Sequence, residues 1–410
     1  MEVLRIVLNG VLCSITLWTH TTCVVAAQYL SLFIWPLSKD VYYKFHAQIM
    51  RFWSQNLFQT MDYFAPGELI ITFDKSCINN KDKHCKNGQE SALNSTNNTT
   101  ETNEEDEVYQ EELEKLLTRN NQGQVTGISF PEKLIMIANH QIYADWIYIW
   151  FIAYLSKAHG AIKIMLKHSL SLLPIWGRGM KFFEFIFLKR RLEQDKDNIL
   201  GMLNSAKSRN RPMWLVLFPE GTVISDNTRL KSKNYATKLG MDDFKFTLLP
   251  RITGLLMCKE TLKDSVEWLY DLTIAYPGIK PGENPEDVMT MKRIFCEGNG
   301  PHEIHIHVQR YRLADLPSDT EGFSNWLLER WTEKDKRMIY FNEHGKLPEE
   351  HDIGIGEDER LFNGNTVKIP IKLQNPLKEC YGYLLYLVFY IPLYYIASYT
   401  IRYIYHLIAQ

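Results

Sequence analysis

The sequence of 410 residues has few cysteines and almost no net charge, and both features exclude large classes of protein. Seven scattered cysteines do not make the framework of a disulfide-stabilised secreted domain. Lys and Arg number 46 against 48 Asp and Glu, and a formal net charge of −2 argues against nucleic acid as a partner. A hydrophobic share of 45% excludes wholesale disorder and a chain that lies mostly inside a bilayer.

Two common catalytic motifs are also missing. No G-x-S-x-G sequence occurs, which argues against a serine hydrolase with a nucleophile elbow. The segment Gly177-Arg178-Gly179 lacks the third glycine of a dinucleotide-binding loop, because Phe182 stands at that position. The chemistry of the chain must therefore be sought in other residues.

The low net charge conceals an uneven distribution. Residues 90–114 hold nine acidic side chains and no Lys or Arg, so the rest of the chain is mildly basic and suits an anionic lipid surface or phosphate-bearing substrates. Residues 76–127 are rich in Asn, Ser, Thr and Glu, which predicts an acidic insertion in the form of a long loop. Its sequons at Asn94, Asn97 and Asn98 would be glycosylated only if the loop faces a lumen, and the alternative is an unmodified loop.

The N-terminal segment, residues 1–75, is predicted to form membrane-anchoring helices. Residues 6–35 contain no Asp, Glu, Lys or Arg. As one helix they would be about 45 Å long against about 30 Å of hydrocarbon, so a single steeply tilted span fits. Two short helices that bend near residues 19–22 fit as well. A cleaved signal peptide is disfavoured because apolar residues continue past any cleavage site.

A second charge-free run lies at residues 381–401. It is rich in Tyr, which favours the membrane–water interface, and Pro392 interrupts it. We therefore predict a C-terminal membrane-associated helix over residues 379–410, preceded by a linker at 346–378, and leave open whether the helix crosses the bilayer.

Residues 128–345 have the pattern of an α/β catalytic domain. The predicted strands are 134–138, 182–188, 214–218, 268–275 and 303–310, and the predicted helices are 144–155, 193–208 and 323–341. Their alternation predicts a helix-covered, mostly parallel sheet. In such sheets, functional sites lie beyond the carboxyl ends of the strands.

A histidine and an aspartate follow the first of these strands, at His140 and Asp145. On a straight helix they would lie about 140° apart, so they can pair only if the chain turns between them. A carboxylate that binds one ring nitrogen fixes the tautomer and raises the basicity of the other nitrogen. Such a histidine can act as a general base toward an alcohol. Alone, this pair is more often structural than catalytic.

A second motif, Phe218-Pro219-Glu220-Gly221-Thr222, also stands where a predicted strand meets a turn. Its carboxylate could bind a polar ligand or position a basic group, and a plain turn is the alternative. Between the two motifs lies a basic patch that could hold phosphates or form a solvated face, composed of Lys167, Arg178, Lys181, Lys189, Arg190 and Arg191.

Four blocks in this order resemble those of the glycerophospholipid acyltransferase family, the enzymes related to 1-acylglycerol-3-phosphate acyltransferase. They are N-H-x-x-x-x-D at 139–145, the arginine block at 186–190, F-P-E-G-T at 218–222 and P-R-I-T-G at 250–254. Segments 270–276, 305–311 and 326–341 are similar to the lysocardiolipin acyltransferase branch and its fungal phosphatidylinositol acyltransferase relatives. The resemblance covers roughly residues 30–75 and 128–345, and it implies the acyltransferase αβ sandwich.

The resemblance also implies an activity and roles for individual residues. The reaction would be acyl transfer from acyl-CoA, as a co-substrate, to the free hydroxyl of a lysophospholipid, with His140 as the base and Asp145 as its orienting partner. The phosphate and glycerol part of the acceptor would be bound by Arg190, Glu220, Gly221 and Thr222. Arg251 would contact the substrate or acyl-CoA. Lysophosphatidylinositol is the favoured acceptor, with lysophosphatidic acid and lysocardiolipin as alternatives.

Three residues depart from the family pattern. Glu184 stands where several members have Gly and would add a negative charge near the phosphate site. Val223 and Ile224 stand where many relatives have a polar or basic pair, so headgroup choice could differ.

The resemblance leaves other interpretations to weigh. A coenzyme-independent transacylase would use the same His/Asp pair, and a catalytically silent membrane scaffold would use neither motif. No metal or other cofactor is expected: Glu303, His305 and His307 would share one face of a strand, but a half-exposed strand explains them more simply than a metal site does. The expected partners are membrane lipids and acyl-CoA, and the expected location is the membrane of the endoplasmic reticulum.

Overall fold

A computed structural model describes residues 2–77, 111–189, 191–348 and 366–408. The strands are β1 (Glu68–Phe73), β2 (Leu117–Arg119), β3 (Val125–Ile128), β4 (Lys133–Ala138), β5 (Ile162–Lys167), β6 (Ile186–Leu188), β7 (Met213–Leu217), β8 (Trp268–Ala275), β9 (Glu303–Arg312) and β10 (Thr366–Pro370). The helices are α1 (Glu2–Leu30), α2 (Lys39–Phe64), α3 (Asp145–Leu155), α4 (Trp176–Phe182), α5 (Leu192–Arg209), α6 (Asp226–Leu239), α7 (Ile252–Leu262), α8 (Pro285–Val288), α9 (Thr320–His344), α10 (Pro376–Glu379) and α11 (Leu384–Ile408). The three sequons and Arg190 lie outside the described residues.

One central sheet organises the molecule, with strand order β10-β1-β9-β8-β4-β7-β5-β6. The pairs β1–β10 and β8–β9 are antiparallel, and the other five neighbouring pairs are parallel. The predicted α/β fold with a mostly parallel sheet is therefore confirmed. Because β4 to β8 all run in the same direction, their carboxyl ends share one edge of the sheet.

The central strand β4 shows why the strands appear in the sequence as continuous apolar runs. Its residues from Leu134 to Ala138 are all buried, since helices cover both faces of a parallel sheet. Side chains alternate between the faces, so Leu134 and Met136 join one hydrophobic core while Ile135 and Ile137 join the other. Helices α2 and α3 cover the first face, and α5, α7 and α9 cover the second.

Several segments differ from the sequence-based expectation. The predicted strand at 182–188 is shorter, because α4 runs to Phe182 and Glu184 adopts a left-handed backbone with φ of 58° before β6 begins. Part of the expected loop at 76–127 is structured, since β2 and β3 form an antiparallel hairpin that packs Leu117, Val125 and Ile128 into the core. Strand β1 lies within residues 1–75, where the sequence predicts anchoring helices, and β10 lies within residues 346–378, where it predicts a linker.

The interpretation of β9 as a half-exposed strand was wrong. Strand β9 lies between β1 and β8 rather than at an edge. His305 and His307 are both buried because α9 covers this face of the strand, and the ring of His305 packs against that of Phe341 in α9 with centroids 5.0 Å apart. Within the described ranges, no group of three or more His, Cys, Asp or Glu side chains is arranged to hold a metal ion.

Helix α1 is continuous through residues 19–22 and is not divided there into two short helices. The polar side chains there bind α2 instead: His20 Nε2 lies 3.1 Å from the carbonyl oxygen of Phe52, and Trp53 Nε1 donates to Thr21 Oγ1 at 3.2 Å. Near its other end, Asn9 donates to the carbonyl oxygen of Cys296 at 3.5 Å. The segments Glu2–Phe33 and Pro376–Arg402 are long and apolar enough to cross a membrane by length and composition alone.

Gly160 fixes the distance between α2 and the sheet, and its replacement tests that packing. In Gly160→Ala, the new Cβ would lie 2.5 Å from the carbonyl oxygen of Ala47 and 2.9 Å from Cγ of Arg51. We expect the free energy of unfolding to fall by about 1–3 kcal/mol in denaturant titrations, as for other overpacked sites. The matched control is Gly201→Ala within α5, where a Cβ meets no atom within 4 Å and should stabilise the protein by up to about 1 kcal/mol. Equal effects of the two substitutions would contradict this account.

Candidate catalytic site

The two sequence motifs meet at the carboxyl edge of the sheet. His140 follows the end of β4, and Phe218 follows the end of β7, the parallel neighbour of β4. The imidazole of His140 stacks on the ring of Phe218, with centroids 4.2 Å apart and planes 21° apart. The neighbouring strands thus deliver both motifs to one place, as the sequence predicted for this edge.

His140 and Asp145 are paired through a turn. His140 Nδ1 lies 2.8 Å from Asp145 Oδ2, and the same oxygen accepts hydrogen bonds from the backbone amides of Gln141 at 2.7 Å and Ile142 at 3.1 Å. Asp145 begins α3, so its carboxylate folds back over the loop that precedes the helix. The chain turn that the spacing required is present.

Tyr276 completes the hydrogen bonds of Asp145 and was not identified from the sequence. Its hydroxyl donates to Asp145 Oδ1 at 2.5 Å, from the residue that follows β8. Asn139 ties the same loop to β8, because its side chain accepts from the amide of Ile274 at 2.7 Å and donates to the Ile274 carbonyl at 2.9 Å. The feature that could have pointed to Tyr276 is its place directly after β8, because β8 adjoins β4 and ends at the same edge of the sheet.

The two members of the dyad differ in their exposure to solvent. The Asp145 side chain is fully buried, whereas 16% of the His140 side chain is exposed. When Nδ1 donates to the carboxylate, Nε2 carries the lone pair and can accept a proton. A histidine held in this way by a buried carboxylate has the geometry that a general base requires.

Glu220 lies beneath this loop and is only 2% exposed. Its Oε1 accepts a hydrogen bond from the indole of Trp331 in α9 at 3.2 Å, and the backbone amides of Leu248 and His140 face the carboxyl group. Burial raises the pKa of Glu220 to about 8; these three donors oppose the rise, and the charge of Asp145 adds to it. The side chain therefore contacts the His140 loop rather than the surface.

The next residues of this motif are closer to solvent. Gly221 has φ of 74°, a left-handed conformation that favours glycine, and its amide donates to the Phe218 carbonyl at 2.8 Å. The amide of Arg251 donates to the Pro219 carbonyl at 2.8 Å, and a Cβ on Gly221 would lie 3.7 Å from Arg251 Nε. The third and fourth sequence blocks are thus adjacent. Thr222 is half-buried, and Val223 and Ile224 are buried.

The basic patch is exposed where the structure describes it. Five of its members have exposed side chains, namely Lys167, Arg178, Lys181, Lys189 and Arg191. Arg190 lies outside the described residues, but the backbone on both sides of it is held by Asp195. That carboxylate accepts from the amides of Lys189 at 2.8 Å and Arg191 at 3.1 Å.

The negative charge of Glu184 is compensated. Its carboxylate contacts Lys163 Nζ at 2.5 Å and Arg209 Nη1 at 2.6 Å. Burial acts to raise the pKa of Glu184, but the Lys163 charge and the hydrogen bonds from both cations outweigh it, and the pKa is lowered. Glu184 is therefore an ionised partner of two cations and leaves the charge of the basic patch intact.

Comparisons with known proteins place both motifs within one family match. The family model described as Acyltransferase matches residues 122–257, and the one described as Acyltransferase C-terminus matches residues 295–367. An uncharacterized acyltransferase of Schizosaccharomyces pombe is 37% identical over 59% of this chain and 69% of its own length. A 2-acyl-1-lysophosphatidylinositol acyltransferase of Saccharomyces cerevisiae is 40% identical, with 52% and 62% covered. Lysocardiolipin acyltransferase 1 of Danio rerio is 35% identical, with 53% and 55% covered. The chain thus spans between about half and about two thirds of the length of these relatives.

The burial of Glu220 predicts a pH-dependent stability that Glu220→Gln should remove. At pH values between the ordinary pKa of a glutamate, near 4.5, and the folded pKa of Glu220, about 8, unfolding releases the proton of Glu220. This contribution to stability is therefore complete below about pH 4.5 and is lost as the pH rises to about 8, with a slope of at most about 1.4 kcal/mol per pH unit. Denaturant unfolding at about pH 5 and about pH 8 measures the difference between wild type and variant.

The control for this measurement is Glu343→Gln, which changes an exposed carboxylate on the same helix as Trp331. It should keep the pH dependence of the wild type. If the free energy of unfolding changes with pH in the same way in the wild type and in Glu220→Gln, then Glu220 is ionised in the folded state.

Proposed function

The chain belongs to the acyltransferase family, in the branch that includes lysophosphatidylinositol and lysocardiolipin acyltransferases, and on this premise we propose that it transfers an acyl chain from acyl-CoA to the free hydroxyl of a lysophospholipid. The observation that carries the proposal is the contact of 2.8 Å between His140 Nδ1 and Asp145 Oδ2 at the carboxyl edge of the sheet. It leaves Nε2 free to accept the proton of an alcohol.

In the proposed reaction, His140 Nε2 removes the proton from the lysophospholipid hydroxyl while its oxygen attacks the thioester carbonyl. Asp145 stabilises the imidazolium that forms. The carbon–sulfur bond then breaks, the new ester remains on the lipid, and the coenzyme A thiolate takes the proton from the imidazolium. A thiolate is a good leaving group, so the reaction requires no covalent acyl-enzyme.

The residues around the dyad divide into two proposed roles. Arg190, Gly221, Thr222 and Arg251 would bind the phosphate and glycerol part of the acceptor or the acyl-CoA, and the half-buried Gly221 and Thr222 and the exposed Arg251 support contact with a ligand. Glu220 is too buried for that role in this conformation. We propose instead that it positions the His140 loop from below.

The proposed acceptor is lysophosphatidylinositol, in phospholipid remodelling. A relative named for that activity, with 40% identity, supports it, and lysocardiolipin and lysophosphatidic acid are the alternatives. A coenzyme-independent transacylase would use the same dyad but would take its acyl chain from a second phospholipid. The donor separates the two reactions, because only the first depends on acyl-CoA.

The proposed setting is a membrane surface, in the endoplasmic reticulum. Helix α1 presents a row of exposed apolar side chains, Val3, Leu4, Val7, Leu8, Val11 and Leu12. Helix α11 lies beside it, since Tyr390 donates to the carbonyl oxygen of Thr19 at 3.5 Å, and it exposes Leu387, Val388 and Ile391. Together the two helices form an apolar surface that suits lipid.

The His140→Ala variant tests the role of the imidazole with Asp145 intact. Acyl transfer by the purified full-length protein should fall by about 10²–10⁴-fold, the usual contribution of a general base. The measurement is product formation from lysophosphatidylinositol and acyl-CoA in detergent micelles. His302→Ala is the control, since that histidine is exposed on the loop before β9.

Near-normal activity of His140→Ala would show that His140 is not the general base. The same assay without acyl-CoA, in the presence of a diacyl phospholipid, identifies the donor. Product formed under those conditions would support the transacylase instead.

The Tyr276→Phe variant tests whether the hydroxyl on Asp145 holds the dyad in place. It removes one hydrogen bond to the buried carboxylate, so we expect kcat to fall about tenfold while KM stays nearly constant. Tyr148→Phe is the matched control, because its buried ring lies 5.9 Å from that of Tyr276 and its hydroxyl does not bond Asp145. A rise in KM with unchanged kcat would place Tyr276 in substrate binding rather than in positioning.

A further inference from the structure

A cavity of about 190 Å³ lies beside the dyad, and the proposed mechanism does not use it. Its inner wall includes Gln141 and Tyr276. The Tyr276 hydroxyl and the Gln141 backbone amide both bind the carboxylate of Asp145, the partner of His140, so this wall adjoins the dyad. The cavity is therefore within reach of a molecule whose hydroxyl is held at His140.

The wall of the cavity combines an apolar floor with polar sides. Ile224, Met338 and Phe341 are buried and supply the floor. The polar groups are Asp226, Arg229, Lys245, Glu283, Asn284 and Asn342. Polar groups placed around an apolar base can fix the orientation of a polar ligand group.

Hydrogen bonds hold the polar groups of the cavity in place, and some donors and acceptors remain available to a ligand. Arg229 Nη1 donates to the carbonyl oxygens of Phe244 at 2.9 Å and Thr247 at 2.6 Å, which holds the guanidinium at the wall. Asn284 Nδ2 donates to Asp226 Oδ1 at 2.9 Å, so the two residues form one edge. Within the described parts of the chain, Lys245 Nζ has no ion-pair or hydrogen-bond partner. Donors and acceptors both remain for a ligand.

The charges of the cavity favour a neutral group with many hydroxyls. Two cations, Arg229 and Lys245, are balanced by two anions, Asp226 and Glu283, so the cavity has no net charge that would draw in a charged headgroup such as choline or ethanolamine. Hydroxyl groups both donate and accept, so they can bind carboxylate, amide and cationic side chains at once. The C–H faces of a ring polyol can pack on Phe246 and Phe341. A cavity of about 150 Å³ in another protein holds benzene, so 190 Å³ has room for a six-membered ring.

We propose that this cavity binds the headgroup of the acceptor lipid and selects a polyol ring attached to the phosphate, with Asp226 and Asn284 as specificity-determining residues. The inference rests on the proposed acyl transfer, because it assigns the cavity to the substrate whose hydroxyl meets His140. It adds a site that lies outside the four sequence blocks: Asp226 begins α6, and Asn284 belongs to the loop after β8.

Asp226→Asn tests the proposal by acceptor selectivity. The measured quantity is the ratio of kcat/KM for lysophosphatidylinositol to that for lysophosphatidic acid, which lacks the ring. The ratio should fall about tenfold, the loss of one hydrogen bond to a charged group. Asp242→Asn is the matched control, since it removes an exposed carboxylate that does not line the cavity, and it should leave the ratio unchanged. An unchanged ratio in Asp226→Asn, or a wild-type ratio near one, overturns the proposal.

A binding measurement separates this proposal from the proposed function. Glycerophosphoinositol and glycerol 3-phosphate are titrated calorimetrically into full-length His140→Ala protein, with and without Asp226→Asn. Binding of the first compound that weakens about tenfold with Asp226→Asn supports the headgroup site, even if the wild type transfers no acyl chain. Acyl transfer to lysophosphatidylinositol by a protein that does not bind glycerophosphoinositol supports the function and overturns the site.

Discussion

The carboxylate of Asp145 is the group on which the site depends. It is fully buried, and a buried charge is tolerated only when hydrogen bonds replace its lost hydration. Four donors do so: His140 Nδ1, the amides of Gln141 and Ile142, and the Tyr276 hydroxyl. The interactions that solvate the carboxylate also close the turn between the two motif residues. The same hydrogen bonds therefore stabilise the loop and orient the imidazole of His140.

The position of β4 in the sheet makes this arrangement possible. Its parallel neighbours are β7 on one side and β8 on the other, so three loops leave the same edge side by side. The loop after β7 provides Phe218, which stacks on His140, and Glu220, which lies beneath it. The residue after β8 provides the Tyr276 hydroxyl. Residues far apart in sequence thus meet because parallel strands end together.

The parts of the molecule that could be predicted from the sequence are those set by local pattern. The apolar run at β8 gave its observed bounds, Trp268–Ala275, and the spacing of His140 and Asp145 required the observed turn. Contacts made in the tertiary structure could not be predicted in this way. Tyr276 carries no local sign of its bond to Asp145, and His307 is buried because α9, from a distant part of the chain, covers that face of β9. The hairpin of β2 and β3 was missed because its few apolar residues lie next to a strongly polar segment.

The burial of Glu220 changes the interpretation of the second motif. A carboxyl group that is 2% exposed beneath the His140 loop cannot reach a lipid phosphate unless that loop moves. Its neutral form suits this place, because an ionised Glu220 would add a second negative charge close to Asp145. Gly221 stands nearer to solvent, and its left-handed backbone turns the chain toward Arg251. One short motif therefore has two parts: its carboxyl group contacts the His140 loop, and its glycine lies beside Arg251, where we propose that the acceptor binds.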